Sequence, residues 1–328
     1  MDAKLFGAAE AVEITVLVDN RADLIVESNE QVKYYTDKAL LAEHGFSALV
    51  HFPGDPPTRI LWDAGVTPVT LLENLRRMEI EPGSIQRVAL SHGHHDHTAA
   101  LTALLMAMDL VVDAREWDQP VSASAVDAYQ AAARLPLVAH PAAFRERWGR
   151  KEDGTWVGPF PPPPWQTWES LGVTIQRAEG PHQLAPGCWT TGYVPRLSFE
   201  HSGRPTHLFY RQGDTLIPDD LEEDQAIVIH IQGKGLVVLS GCAHAGILNT
   251  VRYAQQISGV ERVYAVIGGF HLARSKAEDV QATIEALQEL APAVLVPCHC
   301  TGFEATCAFA REMPDAFLPG VVGATYAF

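Results

Sequence analysis

Residues 91–101 read SHGHHDHTAAL, which places four of the chain's 14 histidines and one aspartate between positions 92 and 97. Imidazole and carboxylate are good ligands for zinc and similar divalent ions. Side chains at alternate positions of an extended segment point the same way, so His92 and His94 can reach one ion. As the chain turns into a helix, Asp96 and His97 can face a second ion beside the first. His95 then points away from both and is read as a spacer. A polar loop with a chance excess of histidine is a poor account of so dense a cluster. Two pairs of ligands still leave both ions short, because catalytic zinc sites commonly hold three protein ligands and a water.

The missing ligands are expected at other strand ends, and three stretches offer them. LSGCAHAG (239–246) carries Cys242 and His244, IGGFHL (267–272) carries His271, and PCHC (297–300) carries His299. His244 and His299 are read as ligands. His271 is read more readily as a contact to substrate or a support for a ligand than as a ligand itself. Cys242 has two readings: a thiolate that binds or bridges ions, or a small buried residue beside them. Cys298 and Cys300 alternate with His299 and should point away from it, into packing. Asp63, in ILWDAG (60–65), could accept a hydrogen bond from a ligand histidine and fix its tautomer, or could be a turn aspartate before glycine. His44, His51, His140, His182, His201, His207 and His230 have no comparable context and are read as ordinary histidines.

Elements must bring these stretches together. EITVLVDN (13–20) alternates as a half-buried strand does. FSALVHF (46–52) and RILWDAG (59–65) flank the turn GDPP and suggest a hairpin. Thr67-Pro68 opens a helix over 67–79 whose apolar residues share a face. QRVAL (86–90) is a strand running into the histidine cluster, 98–108 is helical, and LVVDA (110–114) is a further strand. After position 225 come a hairpin (225–231 and 235–241), then helix 246–257, strand 262–269, helix 277–290, strand 293–299, helix 300–312 and strand 321–328. Each candidate ligand therefore follows the C-terminal end of a strand, where layered α/β folds gather their sites. Between the two regular halves, 115–205 holds several tryptophans and the run GPFPPPPW (158–165), and is read as an irregular insertion or lid on a single domain spanning 1–328. The element order suggests two sheets packed face to face with helices outside.

Composition narrows the function. The chain has 328 residues, 47% of them hydrophobic, and a net charge of −16. An acidic surface argues against non-specific nucleic-acid binding. No apolar run reaches transmembrane length, and no secretory leader is read at the N-terminus. Five scattered cysteines do not resemble a disulfide framework, and the absence of a CxxC pair disfavours a structural zinc site. The cytoplasm is the expected compartment.

The HxHxDH cluster after a short strand, preceded by a WDAG turn, resembles the metallo-β-lactamase fold superfamily over nearly the whole chain. HGFSALV, LSGCAHAGILNTV, VIGGFHLA and PCHCTGFEA resemble, more narrowly, the branch of metal-dependent hydrolases that includes the 7,8-dihydropterin-6-yl-methyl-4-(β-D-ribofuranosyl)aminobenzene-5′-phosphate synthases of methanopterin biosynthesis. The resemblance implies a four-layer αββα sandwich of mixed α/β class with a two-metal site at one edge. It implies that His92, His94, Asp96 and His97 form the first ligand motif, that His244 and His299 supply the later ligands, and that Asp63 supports a ligand. Many superfamily members carry a bridging aspartate in a Gly-Asp pair where this chain has Gly241-Cys242. The expected activity is hydrolysis of a phosphorylated or ester-type small molecule, with a water activated by two divalent ions, zinc before manganese or iron. Asp96 would also orient the water, and His271 would donate to the developing oxyanion. Arg196 could bind an anionic substrate, or could be a solvated surface arginine. A pterin-coupling transferase and a metal-binding sensor without turnover are the alternatives.

Overall fold

The computed structural model describes residues 3–108, 110, 120–126, 134–200 and 207–328. Its first sheet has eight strands, in the order Val32–Tyr34, Ala324–Ala327, Glu13–Val18, Ser47–Phe52, Thr58–Trp62, Arg87–Ala89, Leu135–Ala139 and Val173–Arg177. The second has six: His182–Ala185, Cys188–Thr190, Ala226–Ile231, Gly235–Ser240, Val263–Gly269 and Val294–Cys298. Both expected hairpins form, Ser47–Phe52 against Thr58–Trp62 and Ala226–Ile231 against Gly235–Ser240. The closing strand pairs antiparallel with Glu13–Val18 and ties the two ends of the chain together.

The period of two along these strands sorts side chains into layers. Ile14, Val16, Val50, Ile60 and Trp62 of the first sheet meet Ile227, Ile229, Val237, Leu239, Ile267 and Val296 of the second in one buried core. The alternate residues face outward. Leu17, Leu49, Leu61 and Val88 pack under the helices Pro68–Arg77 and Leu101–Ala107. Val228, Val238, Val266 and Leu295 pack under Ile247–Ser258, Ala277–Leu290 and Phe303–Glu312. The fold is thus a four-layer αββα sandwich.

The middle of the chain differs from the irregular lid expected over 115–205. Four strands of that stretch join the sandwich itself: Leu135–Ala139 and Val173–Arg177 extend the first sheet in parallel, and His182–Ala185 and Cys188–Thr190 edge the second. These strands are only three to five residues long, and Leu135–Ala139 and Val173–Arg177 pair in parallel rather than in a hairpin, so periodicity did not mark them. Outside the sandwich lies a four-stranded antiparallel sheet of Arg147–Arg150, Trp156–Phe160, Leu208–Gln212 and Thr215–Pro218. The proline run connects it to the helix Trp165–Ser170 rather than forming an independent lid. The strand expected over 110–114 lies, apart from Leu110, outside the described residues.

Candidate metal centre

In the first sheet, Thr58–Trp62, Arg87–Ala89, Leu135–Ala139 and Val173–Arg177 run parallel. In the second, Gly235–Ser240, Val263–Gly269 and Val294–Cys298 do the same. Their C-terminal ends meet at one edge of the sandwich, and the candidate ligands lie there, on loops or in the single helical turns that follow the strands.

The local geometry of the histidine cluster follows its sequence. His94 is extended (φ −70°, ψ 152°) and caps a one-turn helix, His95–Thr98. His92 and His94 therefore come from extended chain, and Asp96 and His97 from the first helical turn. His92 and His97 are fully buried, whereas His95 is exposed. The rings of His92 and His94 lie 4.5 Å apart, and each is within 5.0 Å of the His244 ring. Gly93 between them is required by a close approach, because a Cβ there would sit 2.1 Å from the Ala143 carbonyl oxygen.

Three sets of potential ligand atoms lie within 4.8 Å of one another: Asp96, His97, Cys242 and His299; His92, Cys242 and His244; and Cys242, His271 and Cys300. Cys242 belongs to all three. Its Sγ lies 3.2 Å from His97 Nε2. Gly241 before it admits no side chain, since a Cβ would fall 2.2 Å from Ser91 Oγ and 3.0 Å from Asp63 Oδ2.

The buried supports fix which imidazole nitrogens face the centre. Asp63 Oδ1 accepts from the Ser91 amide (2.7 Å), and Oδ2 accepts from Ser91 Oγ (2.6 Å) and from His97 Nδ1 (2.7 Å). A proton held on His97 Nδ1 makes Nε2 the nitrogen that faces the cluster and would ligate once its own proton is displaced. Ser91 Oγ also lies 2.8 Å from His92 Nδ1, which likewise makes its Nε2 the nitrogen that faces the cluster. Asp19 accepts from the His299 amide (2.7 Å), and Asn20 Nδ2 donates to the His299 carbonyl (2.8 Å). Asp63, Ala243, His271 and His299 all hold φ between 48° and 56°. Such left-handed backbone costs an L-residue about 1 kcal/mol or more and concentrates at functional sites.

Electrostatics suit a cation. Burial, with Arg147 behind it, lowers the His94 pKa to about 3, and burial with the neighbouring imidazoles pushes His92 well below its ordinary range. Both are neutral and ready to ligate. Burial opposes charge on His97, but Asp96 and Asp63 outweigh it and raise its pKa to about 9, so without a metal both ring nitrogens carry protons and a bound cation would displace the one on Nε2. Burial also opposes ionisation of Asp96, and His97 and His299 overcome it, so the carboxyl lies well below its usual range. Burial pushes the Cys242 thiol far up, so its ionisation waits on a nearby positive charge. The fit to a metal is further carried by His92 Nε2, His94 Nε2 and His299 Nδ1, which are buried without a hydrogen-bond partner. Polar atoms left so in a dry interior are costly unless something binds them.

Sequence reasoning missed several members of this edge. Cys300 joins Cys242 and His271, because the left-handed turn at His299 breaks the strand alternation; only Cys298 enters the core. His44 stacks on His299 at 5.0 Å and approaches Asp96 to 3.7 Å; its one signal was the HGFSALV motif. Arg196, which the sequence offered as an anion-binding or a solvated arginine, is half-buried: its Nη2 donates to the His244 carbonyl (3.3 Å), and its Nε is buried without a hydrogen-bond partner. Asp224 accepts from the Ala245 amide (2.8 Å), which anchors the loop that carries His244. One strand along the same edge, a cavity of about 660 Å³ is lined by His140, Arg145, Glu179, Tyr193 and Glu222.

An αββα sandwich with histidine and carboxylate loops converging at one sheet edge is the architecture of metallo-β-lactamase-fold metal-dependent hydrolases. No family model matches the chain. It is 30% identical over 281 residues to the 7,8-dihydropterin-6-methyl-4-(β-D-ribofuranosyl)-aminobenzene-5′-phosphate synthase of Methanocaldococcus jannaschii, covering 84% of this chain and 87% of that protein. Among solved structures it is similar to a metal-dependent hydrolase of the β-lactamase superfamily, at TM-score 0.69 and 23% identity, covering 96% of this chain and 98% of that one. It is also similar to the metallo-β-lactamase fold protein YhfI of Bacillus subtilis, at TM-score 0.53 and 12% identity, covering 97% and 100% of the two chains. The chain belongs to the enzyme family of that archaeal synthase and has the metallo-β-lactamase fold.

Proposed function

We propose that the protein is a hydrolase working with two divalent ions, zinc before manganese or iron, on a phosphorylated or ester-type small molecule. The observation that carries the reading is the convergence of His92, His94 and His244 on one side of Cys242, and of Asp96, His97 and His299 on the other. A thiol shared by both groups favours zinc over harder ions. Bound there, divalent ions supply Lewis acidity and bring the acidity of water into the neutral range.

The chain's own residues supply the rest. Asp63 and Ser91 hold the His97 and His92 rings in the ligating tautomer. Asp96, only partly covered, is placed to orient an attacking water. His271, whose ring lies 4.2 Å from that of His244, can donate to a developing oxyanion. Arg196 Nε offers an unused donor beside the His244 loop for an anionic group. The body of the substrate fits the neighbouring cavity, with the small outer sheet as its cover over a single domain. Five unpaired cysteines suit a reducing compartment such as the cytoplasm. Among the described residues no helix is long and apolar enough to cross a membrane.

The test is a panel of phosphodiester, phosphomonoester, lactone and thioester substrates with and without chelator. Chelator-sensitive turnover of at least one is expected, and none would sink the hydrolase reading. The archaeal relative's name favours a second reading, transfer that joins a pterin to a ribosyl-aminobenzene phosphate. Product formation from those two substrates, with the panel silent, would select it.

A further inference from the structure

Behind the first ligand pair lies a buried charge cluster that no step above uses. Arg147, the first residue of the outer sheet, donates from Nε to Asp219 Oδ2 (2.7 Å) and from Nη2 to Glu223 Oε1, and it reaches the Ala142 carbonyl at 3.3 Å. All three charged side chains are buried, Glu223 completely. With both carboxylates ionised, one guanidinium faces two of them and one negative charge is in surplus; burial pushes the Glu223 pKa up against that form, and Glu223 Oε2 has no hydrogen-bond partner. The cluster touches the metal loop at Gly93: the Gly93 amide faces the Glu223 carboxylate, and Gly93 packs against Ala143, next to the Ala142 that Arg147 holds. The positive charge of Arg147 also disfavours a proton on the His92 and His94 rings.

We infer that Arg147, Asp219 and Glu223 are positioning residues. They hold His92-Gly93-His94 in the extended form that brings two imidazoles to one ion, and they fasten the outer sheet to that loop. The surplus negative charge has a physical use there. An unpaired buried charge is unfavourable, and a cation held by His92 and His94, on the loop packed against the cluster, would offset it. The same cluster therefore costs stability in the metal-free protein and repays it on loading. This rests on the reading that His92 and His94 hold an ion.

The experiment compares the wild type with Glu223→Gln and Arg147→Lys, both of similar shape. Cobalt(II) binding is titrated against a chromophoric chelator, the visible cobalt spectrum is recorded, and the melting temperature of the metal-free protein is measured. Imidazole ¹⁵N resonances of His92 and His94 are recorded without metal. Glu223→Gln is expected to weaken cobalt binding about 10- to 100-fold, to alter the spectrum, to shift both imidazole resonances, and to leave the metal-free melting temperature unchanged or raised. Arg147→Lys, which keeps the charge but loses the fork, should fall between. Affinity and spectrum like the wild type's would overturn the inference, as would an affinity loss matched by an equal loss of metal-free stability. A wild type that takes up no cobalt refutes the metal-site reading; the positioning role is then decided by the imidazole resonances alone, and their constancy in Glu223→Gln overturns it.

Discussion

Asp63→Asn tests whether the buried carboxylate sets the protonation of its histidine. Asn tolerates the left-handed backbone that Asp63 adopts (φ 56°), so the change adds little strain. The Asn carbonyl can still accept from the Ser91 amide. Its amino group must then face Ser91 Oγ and His97 Nδ1, where a carboxylate oxygen accepted at 2.6 and 2.7 Å. Ser91 Oγ can turn to accept. Without the Asp63 charge the His97 pKa falls, and a neutral His97 can do so only with its proton on Nε2, the atom 3.2 Å from Cys242 Sγ. Two bonds to a charged acceptor, each worth about 1.5–3 kcal/mol, become neutral ones of about 1 kcal/mol, so folding stability should drop by about 1–4 kcal/mol. Blocking a ligand nitrogen from behind costs about 10–100-fold in metal affinity, or roughly 1.4–2.7 kcal/mol at 1.36 per tenfold. Chelator competition with zinc measures the affinity, and ¹⁵N resonances of the His97 ring report the tautomer. Wild-type affinity together with an unprotonated Nε2 in the variant would refute the reasoning.

Further perturbations separate the parts of the site. His94→Ala should abolish tight metal binding while His95→Ala, on an exposed ring, leaves metal content intact; equal loss from both contradicts the spacer reading. Gly93→Ala drives a methyl into the Ala143 carbonyl and should cost about 1–3 kcal/mol by urea unfolding, together with metal binding. Removing metal with a chelator should lower the melting temperature, by an amount corresponding to about 4 kcal/mol when free metal stood at a thousand times its Kd. Burial, opposed by Arg21, raises the Tyr34 phenol from 10.0 to about 12. The folded state therefore keeps a proton that the unfolded chain releases, and stability holds below pH 10 and falls as pH rises towards 12. Tyr34→Phe should remove one proton from that slope in alkaline denaturation, and an unchanged slope would refute the assignment.

Much of the sandwich was legible because its elements carry local signals. The hairpins at 46–65 and 225–241 announced themselves by alternating strands around turn residues, and the strand–helix units after 245 by a switch from period two to period 3.6. The histidine cluster was legible for the same reason: an extended run entering a helix determines which side chains share a side. The strands Leu135–Ala139 and Val173–Arg177 were not legible. They pair in parallel with partners far along the chain, and their short apolar runs have no local turn to reveal the pairing.

By itself, then, the sequence determined which residues are candidate ligands, the extended-to-helical turn that splits His92 and His94 from Asp96 and His97, and the placement of His244, His271 and His299 after strands. Tertiary structure alone decided that Cys242 stands among all of these groups, that the left-handed His299 swings Cys300 towards the cluster and Cys298 into the core, and that His44 covers one side. It alone brought Arg147 behind His94. The physical reason is range. Backbone alternation propagates over a few residues, whereas a buried charge cluster or a shared thiol depends on which distant loops the two packed sheets bring to one edge.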